Sequence, residues 1–362
     1  MNRKKYAVLG SGNGARAFCV QIAARGHDAV MWEPLEATED YKKLRQEKKM
    51  FLRGDINLEG TVRDVTMDIR EAMEGAEVLF VVVPSFAHEP IFRKMLPHLR
   101  DGQHIVVVPG NFAGFRLRKM MREEGVTTKV SVSETASMPY ACRISSYNTV
   151  MIFKKKFKLQ MATSPAVHSD AVRRLVQEVF EGYVEYLSSD SLLSIDLDNI
   201  NFTLHPLPVL LNYGAIEKNP KTFRHYMDGI TPEISRLMEK MDEERMNIGK
   251  ACGVKLTDAL SQLKMFYGSN DARTYFEYVQ SPQSPYVDLV GHNIRGRYLT
   301  EDVPGVLVPA LLLARKAGCA VPTVEMAVSL ASALHGVDYL KDGTTLESLG
   351  IAGLTVEQIR NL

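Results

Sequence analysis

The stretch AVLGSGNGARAFCVQIAARGHDAVMWE, residues 7–33, decides the fold of the first half of the chain. It predicts a buried strand, a glycine-rich turn, a helix and a second strand, with Gly10, Gly12 and Ala15 in a G-x-G-x-x-A pattern. Gly10 makes the tight turn, Gly12 lets backbone N–H groups approach a pyrophosphate, and Ala15 allows the helix to pack closely on the strand. The helix N-terminus adds a partial positive charge for the phosphates. The pattern therefore predicts a dinucleotide-binding βαβ unit.

An acidic residue, Glu33, ends the second strand about 20 residues after the glycines. A carboxylate there accepts hydrogen bonds from the adenine-ribose hydroxyls and repels a 2′-phosphate, so the sequence favours NAD(H), with NADP(H) as the alternative. A solvated glutamate without a ligand is the alternative for Glu33 itself. The cofactor-binding residues expected here are Gly10, Ser11, Gly12, Asn13, Gly14, Ala15 and Glu33.

Two later strands end in proline and small residues, in VVVPSFAHEP (81–90) and VVVPGNFAG (106–114). Ligands of open α/β sheets bind at the carboxyl ends of strands, so these ends are expected to line the cofactor crevice. The residues concerned are Pro84, Pro109, Gly110 and Asn111. His88 is expected in the first turn of the following helix rather than in catalysis.

The periodicity changes near residue 188, which predicts two domains. Before it, β-branched runs alternate with amphipathic segments, as in an α/β domain with a doubly wound parallel sheet. Helices are expected near 14–26, 36–49, 86–99 and 112–124, and further strands near 129–133, 147–153, 158–163 and 184–188. After it, helices are expected near 192–217, 231–251, 257–266, 304–318 and 321–336. We expect a Rossmann domain over residues 1–188 and a mainly α-helical domain over residues 189–362, joined near the connector YLSSDS.

The bulk composition argues against several classes of partner. The 44 Lys and Arg residues balance 43 Asp and Glu residues, so neither nucleic acid nor an anionic membrane is an expected partner. Cys19, Cys142, Cys252 and Cys319 are scattered without metal-ligand spacing, which predicts reduced thiols, a cytoplasmic protein and no metal. No apolar run approaches the ~20 residues that span a bilayer, and the N-terminus is not expected to be a signal peptide.

One histidine interrupts the apolar run NFTLHPLPVLLNYG, residues 201–214. If residues 196–217 form one helix, an apolar stripe faces the core and His205 lies on the neighbouring polar face. The stripe consists of Ile200, Leu204, Leu207 and Leu211. Pro206 and Pro208 each remove a helical hydrogen bond, so they are expected to kink the helix and free carbonyl groups near His205. A buried structural histidine is the alternative to a functional one.

A second polar cluster precedes a strongly apolar segment and consists of Arg297, Glu301 and Asp302. Asp302 is either a functional carboxylate or simply the N-cap of the next helix, with Pro304 in its first turn. The residues alone leave both interpretations open.

Four further stretches follow the glycine-rich turn: SETASMPYACR (133–143), NFTLHPLPVLLN (201–212), YMDGITPEI (226–234) and RYLTEDVPGVLVP (297–309). In this order they resemble the opine dehydrogenases over essentially the whole chain. The octopine/nopaline group is the most similar, and within it the bacterial N-(1-carboxyethyl)-norvaline dehydrogenase type. The HPLPxLLN and EDVxxxLVP patterns are far more specific than the glycine pattern.

The resemblance implies reductive condensation of an amino acid with an α-keto acid, commonly pyruvate, to an N-(carboxyalkyl)amino acid. It implies a nicotinamide cofactor on the first domain, His205 as general acid/base and Asp302 as its partner. The implied substrate-binding residues are Arg297, Asn201 and an interdomain "ET" pair, Glu134 and Thr135. Histidine suits this chemistry because it titrates near neutrality, and a carboxylate partner fixes its tautomer.

The sequence leaves alternatives for the partner of His205 and for the function of the protein. Asp198 lies seven residues before His205, but two helical turns separate the two side chains by about 10 Å, so Asp302 is the expected partner. A two-domain dehydrogenase of the 2-hydroxyacid or ketopantoate type would instead rely on a lysine; Lys218, Lys221 and Lys250 are available without a supporting motif. A non-catalytic dinucleotide-binding sensor is the third interpretation. A homodimer is left open.

Overall fold

The computed structural model describes residues 3–287 and 289–362. The chain divides into two compact units, residues 1–192 and 193–362. Within the described ranges, no helix is both long enough and apolar enough to cross a bilayer.

From residue 3 onward, where the structure describes it, the first unit contains twelve strands and six α-helices. The strands are β1 (Lys5–Leu9), β2 (Asp28–Trp32), β3 (Lys49–Gly54), β4 (Leu58–Thr61), β5 (Asp64–Thr66), β6 (Val78–Val81), β7 (His104–Val107), β8 (Ser131–Thr135), β9 (Tyr140–Ser146), β10 (Thr149–Lys155), β11 (Lys158–Ser164) and β12 (Glu185–Ser188). The helices are α1 (Asn13–Ala24), α2 (Glu39–Glu47), α3 (Ile69–Met73), α4 (His88–Met95), α5 (Ala113–Glu123) and α6 (Ser169–Phe180).

The main sheet has eight strands in the order β12-β11-β8-β7-β6-β1-β2-β5. The six strands from β5 to β8 pair in parallel, and β11 turns antiparallel against β8. The inner strands are apolar and buried on both faces, as a parallel sheet covered by helices requires. This is the doubly wound α/β fold that the glycine-rich turn and the strand pattern predict, and it brings the carboxyl ends of β1, β6 and β7 to one edge.

A second sheet, in the order β4-β3-β10-β9, was not predicted from the sequence. The helix expected over 36–49 ends at Glu47, where Lys48 turns left-handed with φ 58°, and β3 begins at once. β3 has only three consecutive apolar residues, Met50 to Leu52, between charged ones, and β4 (LEGT) is largely polar. Neither sequence therefore has the longer apolar run by which the buried strands were recognised. β4 lies against α1, where a side chain on Gly60 would meet the Cβ of Ala23 at 2.7 Å.

The second unit is mainly helical, in agreement with its sequence. Its helices are α7 (Leu192–Leu197), α8 (Asn201–Leu204), α9 (Pro206–Leu211), α10 (Tyr213–Lys218), α11 (Pro232–Ala251), α12 (Ala259–Tyr267), α13 (Tyr275–Val279), α14 (Arg297–Thr300), α15 (Val308–Lys316), α16 (Pro322–His335), α17 (Tyr339–Asp342) and α18 (Val356–Arg360), with a π-helical turn over Val303–Leu307.

The single helix expected over 196–217 is wrong, because four short helices, α7 to α10, occupy this region. Pro206 and Pro208 have no N–H to donate, so the helical ladder stops at His205 and restarts with Pro206 as the first residue of α9. The expected apolar stripe also fails at its end: Leu211 is 43% exposed, since the helix that would have buried it is interrupted.

We predict that Gly60→Ala lowers the free energy of unfolding by about 1–3 kcal/mol, because its Cβ would sit 2.7 Å from Ala23 Cβ and 3.1 Å from the Val20 carbonyl oxygen. Gly214→Ala in α10 is the matched control. Apart from the backbone of its own helix, no atom of the described residues lies within 4 Å of the added Cβ, and alanine favours the helix. Urea unfolding measures both variants. A Gly60→Ala protein as stable as the Gly214→Ala protein would contradict this packing of β4 on α1.

Candidate active site

The glycine-rich turn connects β1 to α1 in the way a bound pyrophosphate requires. Gly10 has φ +130°, and a Cβ there would lie 2.7 Å from the carbonyl oxygen of Val82, so only glycine fits. A Cβ on Gly14 would lie 3.0 Å from the Val82 side chain. Gly12 borders open space and precedes α1 without a side-chain cap, which leaves the first N–H groups of the helix for an anionic ligand. Ala15 is fully buried where helix and strand pack closely.

The β9–β10 hairpin holds the side chains of this turn. Asn13 Oδ1 accepts a hydrogen bond of 2.8 Å from the backbone N–H of Ile144. Arg16 donates to the carbonyl of Ser11 at 2.9 Å and to the carbonyl of Tyr147 at 2.6 Å. The side chain of Asn13 is therefore engaged within the protein, and the backbone of the turn is the part left to bind a phosphate.

Glu33 follows β2 and is only 9% exposed. Its Oε1 accepts a hydrogen bond of 3.0 Å from the backbone N–H of Leu35, and its own N–H donates to the carbonyl of Thr66. The carboxylate is thus held at the carboxyl edge of the sheet, where the sequence places the adenine-ribose contact.

The turns after β6 and β7 lie at the same edge. Pro84 is exposed and leads into a 3₁₀ turn. Pro109, Gly110 and Asn111 follow β7, and the Gly110 N–H donates to the carbonyl of Thr135 at 3.0 Å. Asn111 and Phe112 are left-handed, with φ 52° and 61°. Two such non-glycine residues cost of order 1–3 kcal/mol each, and strain of this kind clusters at binding sites.

The predicted "ET" pair lies at the end of β8 and is buried. Glu134 is 0% exposed, and its Oε1 accepts a hydrogen bond from the backbone N–H of Gly114, in the first turn of α5. A side chain on Gly110 would meet Glu134 Oε2 at 2.6 Å. Thr135 is 1% exposed and donates to the carbonyl of Ser137 at 2.9 Å. Within this unit, Glu134 caps α5 and shapes the turn before it.

In the second unit, His205 lies between the end of α8 and the start of α9, and its side chain contacts Asp302. Its Nδ1 lies 2.8 Å from Asp302 Oδ2, and the two side chains are 12% and 6% exposed. The Asp302 side chain makes no capping bond to the turn that follows it. The alternative in which Asp302 serves only as an N-cap is therefore not what the structure shows. Asn201 hydrogen bonds to the same carboxylate from the start of α8.

Burial controls the charge of this pair. It lowers the pKa of His205 to about 3; Arg297 acts in the same direction and Glu301 opposes it. Burial raises the pKa of Asp302 well above its usual range and Glu301 adds to the rise, whereas Arg297 and the bond from Asn201 oppose it. Desolvation thus disfavours a charge on either group alone, so the protonation of each partner depends on the charge of the other.

Two tyrosines to which the sequence assigns no role complete the surroundings of His205. Tyr226 places its hydroxyl 3.1 Å from Nε2 of His205 and is 3% exposed. The ring of Tyr298 stacks on the imidazole, with centroids 3.6 Å apart and planes 11° apart. Their two hydroxyls are 3.4 Å from each other. Both ring nitrogens and one face of His205 are thereby fixed.

His225 was also missed from the sequence. In a continuous helix the Leu204 carbonyl would bond to the N–H of residue 208, but Pro208 has none. His225 Nε2 lies 2.9 Å from that carbonyl and satisfies it, from a ring that is fully buried. The predicted freeing of a carbonyl beside His205 is therefore observed, and its partner is 21 residues away in sequence.

The local competitor, Asp198, is occupied elsewhere. Its Oδ1 accepts bonds of 2.9 Å from Arg245 Nη1 and from the Thr257 N–H. Arg245 is 0% exposed and also binds Asp242 at 2.8 Å, and Asp242 accepts a bond of 3.1 Å from Thr203 of α8. Breaking such a buried ion network costs about 3–5 kcal/mol. The network therefore anchors the helix that ends at His205.

Arg297 begins α14, one turn before Asp302. Its side chain is 73% exposed and donates to Glu301 Oε2 at 2.5 Å. The guanidinium acts on the His–Asp pair through its charge, and most of its surface remains open to solvent.

The chain matches two protein-family models. Residues 188–335 match "NAD/NADP octopine/nopaline dehydrogenase, alpha-helical domain", and residues 5–132 match "NAD-dependent glycerol-3-phosphate dehydrogenase N-terminus". An opine dehydrogenase of Arthrobacter sp. (strain 1C) is 33% identical over 362 residues, which covers 99% of this chain and 98% of the relative. The chain belongs to the opine dehydrogenase family. The resemblance found in the sequence is thereby confirmed.

More distant opine dehydrogenases agree with this membership. The octopine dehydrogenase of Pecten maximus is 23% identical, covering 94% of this chain and 92% of its own. A solved octopine dehydrogenase with NADH and L-arginine has the same fold, with a TM-score of 0.83 at 20% identity over 99% of this chain and 98% of that one. As a family member, the chain is an NAD(P)-dependent oxidoreductase of the opine dehydrogenase type.

We predict that His225→Phe lowers the free energy of unfolding by about 1–3 kcal/mol, because the buried Leu204 carbonyl loses its donor. His225→Gln should recover part of this loss, since its amide N–H can reach the position of Nε2. Urea unfolding measures both. If the phenylalanine variant were as stable as the glutamine variant, the bond to Leu204 would not be what His225 contributes.

Proposed function

We propose that this protein reductively condenses an amino acid with an α-keto acid, pyruvate in the first instance, to an N-(carboxyalkyl)amino acid. The observation that carries the proposal is the 2.8 Å hydrogen bond between His205 Nδ1 and Asp302 Oδ2 in a chain of this family. A binding-only sensor needs no such pair. The lysine-dependent alternative also lacks support, because the residues assembled around the reactive nitrogen are tyrosines and histidines.

His205 supplies the proton transfers. With Nδ1–H donated to Asp302, Nε2 keeps a lone pair that takes a proton from the substrate ammonium and frees the nucleophilic amine. The amine adds to the keto carbon, and the resulting carbinolamine hydroxyl leaves as water after it receives that proton from Nε2. Asp302 fixes the imidazole tautomer and stabilises its cation, and Asn201 holds the carboxylate in place.

The nicotinamide cofactor, when bound, supplies the hydride that reduces the imine carbon. The amides after Gly12 fit its pyrophosphate, and Glu33 fits the adenine-ribose hydroxyls. The strained turn at Asn111 and Phe112 shapes the same edge. We assign Glu134 and Thr135 to holding this region, since both are buried and bonded to backbone within their own unit.

Arg297 fits a substrate carboxylate, because its planar guanidinium is open to solvent and lies one turn from Asp302. Its counter-ion Glu301 keeps the fork oriented. We also place the protein in the cytoplasm, since all four cysteines are free thiols, as a reducing compartment maintains them.

The test is a panel of amino acids crossed with α-keto acids, in which NADH absorbance is followed over time. At least one pair should oxidise NADH, and neither component should do so alone. His205→Ala is the matched negative variant: NADH binding should persist, and turnover should fall by ~10²–10⁴ because the general acid/base is lost.

Each alternative has its own outcome in this panel. A keto acid that is reduced without any amine would favour the hydroxyacid-type dehydrogenase. No NADH oxidation with any pair, in a protein that still binds NADH, would favour the non-catalytic sensor. Turnover that survives His205→Ala would remove His205 from the chemistry.

We further predict that Glu33→Gln relaxes discrimination against NADPH. The amide keeps an acceptor for the Leu35 N–H, so the local structure is preserved, but the charge that repels a 2′-phosphate is gone. The ratio of kcat/KM for NADH to that for NADPH should fall by about tenfold, equivalent to about 1.4 kcal/mol. An unchanged ratio would exclude Glu33 from cofactor selection.

A further inference from the structure

The proton balance of the proposed reaction needs a source beyond His205. An ammonium, a keto acid, a hydride and one proton give a secondary ammonium and water, so each turnover draws one proton from solvent. The proton that His205 takes from the substrate ammonium is used when the hydroxyl leaves as water. The proton that ends on the product nitrogen therefore comes from solvent, and His205 can deliver it only after it has been protonated a second time.

The contacts of His205 supply a route for this second protonation. Its Nδ1 is bound to the buried Asp302, but its Nε2 lies 3.1 Å from the hydroxyl of Tyr226. That hydroxyl lies 3.4 Å from the hydroxyl of Tyr298. Tyr226 is buried and Tyr298 is partly exposed, so Tyr298 is the one of the two residues that is open to solvent.

We propose that Tyr226 and Tyr298 form a proton relay between solvent and Nε2 of His205. This rests on the proposed condensation. The Tyr226 hydroxyl passes its proton to Nε2, its oxygen regains one from Tyr298, and a buffer acid or hydronium ion reprotonates Tyr298. The imidazolium, paired with Asp302, then gives its Nε2 proton to the neutral secondary amine of the product. Each hydroxyl loses one proton and gains one, and opine oxidation runs the relay in reverse.

The geometry suits transfer in both directions. A tyrosine hydroxyl can donate and accept a hydrogen bond at the same time. Ring stacking on His205 keeps Tyr298 in a fixed position over the imidazole. Tyr226 is itself held by a ring stack on Tyr286, with centroids 3.9 Å apart. Among the residues that the structure describes, the other titratable or charged groups that face His205, Tyr226 and Tyr298 are Asp302, Glu301, Arg297, His225, His292, Tyr267 and Tyr286. None of these lies between the Tyr226 hydroxyl and Nε2, which are in direct contact.

The test compares Tyr226→Phe and Tyr298→Phe with Tyr278→Phe. The first two keep their ring contacts and lose the relay hydroxyls. Tyr278 is the matched control, because it is fully buried and its hydroxyl binds the carbonyls of Leu263 and Gly268 rather than His205. For each variant we would measure kcat, KM for both substrates and NADH affinity, with rates in H₂O and D₂O across the pH range.

Tyr226→Phe should lower kcat by about ten- to hundredfold, with the loss greatest at high pH where solvent protons are scarce. Its KM values and NADH affinity should stay near those of the wild type, and its D₂O effect on kcat should increase. Tyr298→Phe should show the same signature to a smaller degree, and Tyr278→Phe should show none of it.

Two results would overturn the relay. One is a kcat of Tyr226→Phe within twofold of wild type at every pH. The other is a raised KM with unchanged kcat, which would make Tyr226 a substrate contact. In both cases the wild type still condenses its substrates. A wild type that oxidises NADH with no substrate pair would contradict the proposed function instead.

Discussion

The site in the second unit depends on one backbone constraint, the absence of N–H groups at Pro206 and Pro208. Because neither residue can donate, the helix that begins at Asn201 stops at Leu204 and a new one starts at Pro206. His205 lies at the joint, where its side chain reaches Asp302 on one ring nitrogen and Tyr226 on the other. A regular helix would have paired those backbone groups within the segment.

The second constraint is electrostatic. The side chains of His205 and Asp302 are largely buried, so a charge on one partner alone is unfavourable. Acid–base chemistry nevertheless requires that the imidazole be charged for part of the catalytic cycle. The structure reconciles these demands with the direct bond to Asp302 and with Arg297 and Glu301 close by, whose opposite charges push the pKa of His205 in opposite directions. Their mutual ion pair limits the net field at the imidazole. Proton transfer therefore depends on groups that touch His205 directly.

The sequence predicts those parts of the molecule whose signals are local. The glycine-rich turn, the apolar strands and the change to helix after residue 188 can all be recognised from neighbouring residues. The β3–β4 hairpin is not recognised because its strands are half-exposed and β3 has only three consecutive apolar residues between charged ones. The pairing of His205 with Asp302 spans 97 residues and came only from the family resemblance. Tyr226 and His225 had no signal of their own, although Pro208 implied that some distant donor must meet the Leu204 carbonyl.

One arrangement recurs at the functional positions of both units. Where a turn, a proline or a strand edge leaves a backbone group without a regular partner, a side chain from a distant segment satisfies it. Glu134 accepts from the Gly114 N–H at the start of α5, Asn13 accepts from the Ile144 N–H, and His225 meets the carbonyl before His205. Each of these bonds fixes an irregular piece of chain that regular secondary structure cannot fix. The two partners of each bond are far apart in sequence. A substitution at the side-chain partner is therefore expected to displace a site residue that is not its neighbour in the sequence. Glu134 is an example from the sequence motifs, because it accepts from the backbone of Gly114 within its own unit.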